Sequence, residues 1–152
     1  MSALGRATLR PAKEADEGWL WHLANDPAVR LGSLSTAPIP RGEHQSWMAH
    51  LLRSEAVHRI LELQGVPVGW ARVEPSGGGG RVSVALFPGA RRRGWGTPLI
   101  RVVTTLACDR GWSPITAEIR PENVGSRRAF VAAGYHLHGE ADGPYRVLYR
   151  AG

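Results

Sequence analysis

The segment from Arg81 to Gly111 constrains the fold more than any other part of the chain. It begins with the alternating apolar pattern "RVSVALF" (81–87), passes through the turn "PGARRRGWG" and continues into an apolar repeat of helical spacing. A strand that leads through a glycine-rich turn into a helix favours phosphate binding, because the first amides of a helix have no partner within it. The segment therefore predicts an α/β fold with an anion site at this junction.

The helix of this segment is predicted over residues 97–110, where apolar side chains recur at a period of about 3.6 residues. Thr97 is a suitable N-cap, Pro98 suits the first helical position, and Gly111 suits the end of the helix. In the preceding turn, glycine allows the backbone to approach an anion without interference from a Cβ atom.

Length and composition indicate one globular domain that spans residues 1–152, with 43% apolar and 21% charged residues. No apolar run is long enough to span a membrane, and the first residues lack the apolar centre of a signal peptide. The single cysteine, Cys108, excludes an internal disulfide and a multi-cysteine metal site. We expect a cytoplasmic protein without a metal, either a monomer or a homodimer.

The net charge is +6, and arginine supplies almost all of the positive charge because Lys13 is the only lysine. Such a field attracts anionic ligands. The arginines are spread over the chain rather than gathered in a long basic run with interleaved aromatics. We therefore expect a small-molecule ligand and neither a nucleic acid nor a membrane as partner.

The remaining patterns predict an order of elements β-α-α-β-β-β-α-β-α-β-β. A Gln-Gly turn separates the strands of a hairpin, and the glycines at 77–80 form a flexible connection. The predicted strands are 7–12, 58–64, 66–74, 81–87, 115–120, 135–140 and 145–150, and the predicted helices are 16–26, 39–54, 97–110 and 123–134.

The turn lacks the Gly-Lys-Ser/Thr of a P-loop and the first glycine of the dinucleotide fingerprint. Arg91-Arg92-Arg93-Gly94-Trp95-Gly96 instead resembles the Arg/Gln-x-x-Gly-x-Gly/Ala signature of the GCN5-related (GNAT) N-acetyltransferases, and its position between a strand and a helix agrees with that family. Asn123-x-x-Ser126, followed by Gly134-Tyr135, resembles a second region of the same family. The likeness covers residues 60–140 well and the first third of the chain more loosely.

The resemblance implies a mostly antiparallel, twisted sheet of about seven strands with about four helices, open in a V between the fourth and fifth strands. It also implies acetyl-coenzyme A as co-substrate, with its pantetheine along the fourth strand and its pyrophosphate at the turn. The implied cofactor residues are Ala85, Leu86, Phe87, Arg91, Arg92, Arg93, Gly94, Trp95, Gly96, Thr97, Asn123, Ser126 and Arg127.

Acetyl transfer to an amine needs a base for the ammonium, a donor for the carbonyl oxygen and an acid for the leaving thiolate. Many members of the family use a tyrosine as the acid, but this chain has Phe130 at that position. By resemblance to relatives without that tyrosine, Ser126 is the candidate acid, with Tyr135 behind it. For the base, the candidates are Glu74, His44, His58 and Glu118, of which we select Glu74.

The segment around the first two helices indicates the acceptor. Asn25-Asp26-Pro27, Val29-Arg30, His44 and Trp47 resemble a pattern of nucleotide-linked amino-sugar N-acetyltransferases, although Leu23-Ala24 departs from it. The implied acceptor residues are Asn25, Arg30, His44 and Trp47, of which Arg30 suits a phosphate and Trp47 offers a stacking surface.

Two other functions agree with the same cofactor residues. A peptide or ribosomal-protein N-terminal acetyltransferase would share all of them. A catalytically silent module that binds acetyl-coenzyme A is also compatible with the sequence, because Phe130 replaces the usual acid.

Overall fold

The computed structural model describes residues 6–33, 35–138 and 145–149. The strands are β1 (Ala7–Arg10), β2 (Val57–Leu63), β3 (Val66–Ser76), β4 (Gly79–Leu86), β5 (Ile115–Ile119), β6 (His136–His138) and β7 (Tyr145–Tyr149). The α-helices are α1 (Glu17–Ala24), α2 (Pro27–Gly32), α3 (Arg41–Arg53), α4 (Gly96–Asp109) and α5 (Val124–Ala132). Single 3₁₀ turns lie at Glu14–Asp16 and Pro88–Ala90.

The strands form one seven-stranded sheet in the order β1-β2-β3-β4-β5-β7-β6. The paired strands are antiparallel except for β4 and β5, which run parallel because α4 crosses between them. This arrangement confirms the predicted fold class, including a parallel fourth and fifth strand within a mostly antiparallel sheet.

Helices cover both faces of the sheet. The buried face of α4, from Leu99 to Ala107, packs on one side with Val73, Val82 and Ile115 of the central strands. On the other side, side chains of α1 and α3 form a second cluster over Ile60 and Trp70. Four helices have eight or more residues among those described, as the sequence predicted.

The sequence missed α2, because residues 16–26 were expected to form one helix. In the structure α1 ends at Ala24, and Asp26 begins a new helix by accepting hydrogen bonds from the amides of Ala28 and Val29. Pro27 occupies the first position of α2, where its missing N–H costs nothing.

The predicted N-cap of α4 was also wrong, by two residues. Helical geometry begins at Gly96, with Trp95 and not Thr97 at the N-cap. Pro98 is therefore the third helical residue. Proline is tolerated throughout the first turn, because the amides there have no intrahelical partner, so its position does not identify the first residue.

The glycines at 77–80 divide into a turn and a strand. Gly77 and Gly78 have positive φ and form the turn, whereas Gly79 and Gly80 belong to β4. A Cβ atom on Gly79 would lie 2.2 Å from the carbonyl oxygen of Pro114, so close packing between strands requires glycine there.

The first strand was predicted too long. β1 ends at Arg10, because Pro11 has no amide hydrogen for the ladder. Residues 139, 140 and 150 of the predicted closing strands lie outside the described residues. In the described ranges, we find no helix with the length and apolar character needed to cross a bilayer.

Candidate active site

The central feature of the site is an opening between β4 and β5, which we call the β4–β5 gap. Within the described sheet the two strands pair only at Gly80 with Ile115 and at Arg81 with Thr116. Beyond that point β4 continues to Leu86 and β5 to Ile119, but the two strands no longer pair with each other. The strands therefore separate from Val82 onward, as the resemblance implied.

The register with β3 determines which backbone groups of β4 face the gap. The Phe87 amide donates to the Val68 carbonyl at 2.8 Å, so Phe87 and, by the alternation of an antiparallel ladder, Ala85 direct their polar groups toward β3. Val84 and Leu86 direct theirs toward the gap. This corrects the expectation that the backbones of Ala85 and Phe87 are available to a ligand, and it adds Val84.

The arginine-rich turn is attached to the end of β4 by Arg91. Its Nε donates to the Leu86 carbonyl at 2.8 Å, and Nη2 forms an ion pair with Asp26 at 2.7 Å. Burial alone would raise the pKa of Asp26, but the hydrogen bonds from Arg91 and from the α2 amides lower it below its ordinary value. Arg91 therefore fixes the turn and remains bonded within the protein.

The rest of the turn is open to solvent. Arg92, Arg93 and Gly94 are exposed, and Arg92 and Gly94 both have positive φ, at 60° and 82°. Trp95, Gly96 and Thr97 follow as half-buried residues at the start of α4. The turn thus places two exposed cations shortly before the first amides of α4, an arrangement that suits a diphosphate.

Helix α5 lines the opposite side of the gap. Asn123 is its N-cap and accepts a hydrogen bond from the Ser126 amide at 3.2 Å. One turn later, Ala129 lies next to Gly96, since a Cβ atom on Gly96 would be 3.5 Å from the Ala129 methyl group. Residues three apart share a helix face, so Ser126 lies on the side of α5 that faces the turn. Arg127 follows as a half-buried residue.

Tyr135 lies in the interior, away from solvent. Its hydroxyl shares a hydrogen bond of 2.6 Å with Thr104, and its ring packs edge-on against Phe130, which is itself buried. Burial raises the pKa of Tyr135 above its ordinary value. These contacts suit a core residue, and we do not include Tyr135 in the proposed reaction.

Asn25 and Arg30 organise the loop that follows α2. The side-chain oxygen of Asn25 accepts a hydrogen bond from the Ile39 amide at 2.7 Å, and its side-chain nitrogen donates to the Ile39 carbonyl. Arg30 donates to the carbonyls of Ala24, Ser35 and Ala37. Both side chains use their polar atoms within the protein, so any influence on an acceptor acts through the shape of the loop.

His44 and Trp47 lie on α3. His44 is buried, with its Nδ1 2.7 Å from a carboxylate oxygen of Glu17. Trp47 is half-buried and meets the ring of Trp70 edge-on at 6.0 Å. The guanidinium of Arg72 stacks on the Trp47 ring at 4.7 Å.

The four candidate bases occupy different environments. Nδ1 of His58 accepts a hydrogen bond from the Ala12 amide at 2.9 Å. Burial, together with the positive charges of Arg59 and Arg110, lowers the pKa of His58. It is therefore a neutral structural residue. Glu74 is 42% exposed and pairs with Arg72 at 2.8 Å, and Glu118 is exposed on β5. Both carboxylates project from the sheet face opposite α4, near the start of the β4–β5 gap.

Helix α2 bridges the open end of the gap. Its first turn is tied to the turn after β4 through Asp26 and Arg91. At its other end, Arg120 donates to the Ser33 carbonyl, and a Cβ atom on Gly32 would lie 2.8 Å from Nδ2 of Asn123. The helix that the sequence missed therefore connects the residues that follow β4 with those that follow β5.

Sequence reasoning also missed Arg72 and Ser83. They face each other across β3 and β4, and with Glu74 and Arg81 they surround a shallow pocket. A signal was present in "WARVE" (70–74), where charged residues alternate with the buried Ala71 and Val73 on a central strand. Among the described residues, no group of three or more His, Cys, Asp or Glu side chains could hold a metal ion.

Comparisons with known proteins agree with this geometry. A family model described as an acetyltransferase (GNAT) domain matches residues 6–136. No curated protein sequence matches the chain. Among solved structures, a GNAT superfamily phosphinothricin acetyltransferase from Sinorhizobium meliloti, in complex with acetyl-coenzyme A, has a TM-score of 0.84 at 19% identity over 97% of this chain and 89% of that chain.

Two further structures are similar. Ribosomal-protein-alanine N-acetyltransferase from Brucella melitensis has a TM-score of 0.80 at 21% identity and covers 93% of this chain and 96% of that one. Aminoglycoside acetyltransferase AAC(6')-Ib, in complex with coenzyme A and kanamycin, has a TM-score of 0.76 at 21% identity, with 95% and 94% covered.

The fold, with parallel β4 and β5 that separate at the gap, is that of the acetyltransferases in these structures. The match over most of the chain makes the assignment specific: this protein belongs to the GNAT acetyltransferase family. The prediction made from Arg91–Gly96 and Asn123–Ser126 is thereby confirmed at the level of the family.

Proposed function

We propose that the protein transfers the acetyl group of acetyl-coenzyme A to the primary amine of a nucleotide-linked amino sugar, by direct attack in a ternary complex. The observation that supports this most strongly is the β4–β5 gap, which opens beside the exposed turn at Arg92 to Gly94. The unpaired edge of β4 can take the pantetheine arm as an added strand, and the first amides of α4 can take the pyrophosphate.

Each part of the donor then has a defined partner on this chain. Val84 and Leu86 present backbone groups to pantetheine, and either amide can donate to the thioester carbonyl oxygen as negative charge develops. Gly96 and Thr97 present the first amides of α4, and Arg92 adds positive charge. Asn123 shapes the opposite side of the gap as the cap of α5.

The proposed chemical step uses Glu74 and Ser126. Glu74 removes a proton from the acceptor ammonium, and the free amine attacks the thioester carbon to form the new C–N bond. The C–S bond then breaks, and the thiolate receives a proton from Ser126, directly or through water. The second proton that the nitrogen loses as the amide forms returns to Ser126 through water, so the serine ends as a neutral hydroxyl. Ser126 suits this role because it lies on the gap side of α5, whereas Phe130 has no proton to give.

The charge of the acceptor side supports a nucleotide-linked substrate. The chain has a net charge of +6, and the sheet face opposite α4 carries Arg72 and Arg81 next to Glu74. A neutral or cationic amine gains nothing from these arginines, whereas a diphosphate does. Asn25 and Arg30 shape the loop beside this face, and the Trp47 ring holds the Arg72 guanidinium.

The test is release of free thiol from acetyl-coenzyme A with three classes of acceptor: UDP-linked amino sugars that differ in the position of the amine, aminoglycosides, and peptides with a free N-terminus. We expect release with at least one UDP-linked amino sugar, at a higher kcat/KM than with any member of the other classes. Mass spectrometry of the product then confirms one added acetyl group.

The other outcomes identify the alternatives. Release with peptides alone would show an N-terminal acetyltransferase and would refute the sugar acceptor. If acetyl-coenzyme A binds but no acceptor yields thiol, the protein is a binding module and the proposed catalysis is refuted.

A further inference from the structure

We propose that a pocket on the sheet face opposite α4 binds a negatively charged group of the acceptor, and that Arg72 selects acceptors that have such a group. The inference rests on the proposed function and names the part of the site that recognises the substrate. The pocket has a volume of about 330 Å³ and is lined by Arg72, Glu74, Pro75, Ser76, Arg81 and Ser83. We call it the Arg72 pocket.

The Arg72 pocket lies where an acceptor must enter. Arg81 belongs to the last residue pair between β4 and β5, and Ser83 is the next side chain on the same face, so the pocket borders the start of the β4–β5 gap. Helix α4 covers the other face of the sheet, and α1 and α3 cover the part of this face around Trp70 and Phe87. The Arg72 pocket lies on the same face as α1 and α3, beyond the part that they cover.

The Arg72 side chain is held in place before any ligand binds. Its Nε donates to Glu74 at 2.8 Å, and its guanidinium carbon lies 4.7 Å from the ring centre of Trp47 and 5.3 Å from that of Trp70. These contacts fix the plane of the guanidinium and leave its two Nη groups to bind an anion. Because little side-chain entropy remains to be lost, binding there is favoured.

The charges of the pocket do not balance. The register pairs Arg72 with Ser83 and Glu74 with Arg81, so two arginines and one carboxylate lie in a square across two strands. Burial lowers the pKa of Arg72, the Glu74 carboxylate opposes that shift, and the nearby charge of Arg81 adds to it. An anion therefore relieves repulsion between the two cations, and the Ser83 hydroxyl lies beside the same space.

The ligand chemistry is a phosphate or carboxylate joined to the amine by a few bonds. The amine then reaches Glu74 and the gap while the anion remains on Arg72. The diphosphate of a nucleotide-linked sugar meets this description, and so does the carboxylate of an amino acid. The two sources are distinguished by the assay below.

The assay compares pairs of acceptors that differ only in the anion: a UDP-linked amino sugar with the free amino sugar, and an amino acid with its amide. We expect the wild-type enzyme to favour the charged member of one pair by tenfold or more in kcat/KM. Arg72→Gln should reduce that preference at least tenfold and leave the KM for acetyl-coenzyme A unchanged, while Arg72→Lys retains part of it. Arg6→Gln, which removes an exposed charge at the far edge of the sheet, is the matched control and should change neither value.

Each remaining result has one meaning. Equal losses for charged and uncharged acceptors, with a lower Tm, would show that Arg72 only packs against Trp47 and Trp70, and would overturn the proposal. A preference for the amino acid would support the Arg72 pocket and refute the nucleotide-linked acceptor. If no acceptor is acetylated, calorimetry with UDP and with an amino acid, each in the presence of saturating coenzyme A, replaces the assay. Binding of either ligand that Arg72→Gln abolishes supports the pocket, and absence of binding of both to the wild type overturns it.

Discussion

Gly96 allows protein stability and cofactor affinity to be separated, because the structure predicts opposite effects of one substitution on them. Gly96 has helical geometry as the first residue of α4, and a Cβ atom there meets only the Ala129 methyl group, at 3.5 Å. That is an ordinary van der Waals distance. Gly96→Ala should therefore stabilise the fold by about 0.5–1 kcal/mol, because alanine loses less backbone entropy in a helix.

Cofactor binding should change in the other direction. A methyl group at residue 96 lies at the amides proposed to hold the pyrophosphate, and it lengthens at least one of their hydrogen bonds to phosphate. A hydrogen bond to a charged group contributes about 1.5–3 kcal/mol, so its loss raises the Kd for coenzyme A by roughly ten- to a hundredfold. Gly96→Val should have the same direction with a larger effect. Calorimetry gives the Kd, steady-state kinetics gives the KM for acetyl-coenzyme A, and thermal unfolding gives the stability.

Gly42→Ala is the matched control. Gly42 lies in the first turn of α3, where a Cβ atom has no neighbour within 4 Å. It should raise the Tm to a similar extent and leave the KM unchanged. If Gly96→Val binds coenzyme A as tightly as the wild type does, the turn does not hold the diphosphate, and the donor site must be placed elsewhere.

Three further predictions follow from single contacts. Ser126→Ala should lower kcat at least tenfold with little change in the KM for acetyl-coenzyme A, and unaltered turnover in stopped-flow assays would remove Ser126 from the reaction. Asp26→Asn keeps the cap of α2 but removes the ion pair with Arg91. Because such a pair contributes about 1 kcal/mol, kcat/KM for both substrates should fall about fivefold. A change confined to one substrate would show that α2 does not couple the donor and acceptor sides. Burial raises the pKa of Asp16, but hydrogen bonds from Arg10, Trp19 and the Lys13 amide outweigh it and lower the pKa from 3.8 to about 2. Since a lowered pKa stabilises the ionised fold, Asp16 should contribute about 2 kcal/mol to the free energy of unfolding above pH 3.8, and this contribution should disappear as the pH falls toward 2. Denaturant unfolding of Asp16→Asn should show no such loss in that interval. Equal pH dependence of the two proteins would contradict this assignment.

The elements that frame the proposed donor site were largely predictable from the sequence. The strand, the turn and α4 depend on contacts between residues a few positions apart, and their apolar periods and glycines show them directly. Gly111 and Gly134 end their helices with positive φ, as expected. The errors there concern the ends of elements and the backbone of β4: α4 begins before Thr97, β4 extends back to Gly79 by pairing with Ser76, and Ala85 and Phe87 face β3.

The acceptor side was less predictable, because its contacts join distant parts of the chain. The ion pair of Arg91 with Asp26 spans 65 residues, so no local pattern indicates it. His44 was a candidate base because an imidazole can take a proton, yet its nitrogen is paired with Glu17 on another helix. A side chain that could serve chemistry or structure can be assigned only after its neighbours are known.

By itself the sequence indicated the family, through the resemblance of its turn motif, and the order of most elements, which follows from local backbone preference and the spacing of apolar residues. The tertiary structure decided which edge of β4 is unpaired and which arginines face solvent together. The pairing with β3 sets which backbone groups of β4 point away from it. The Phe87 amide bonds to the Val68 carbonyl, so the backbone amide of Leu86, rather than that of Phe87, faces the gap. The Arg72 pocket likewise exists only because β3 and β4 pair in one register, which brings residues 72, 74, 81 and 83 to a single face.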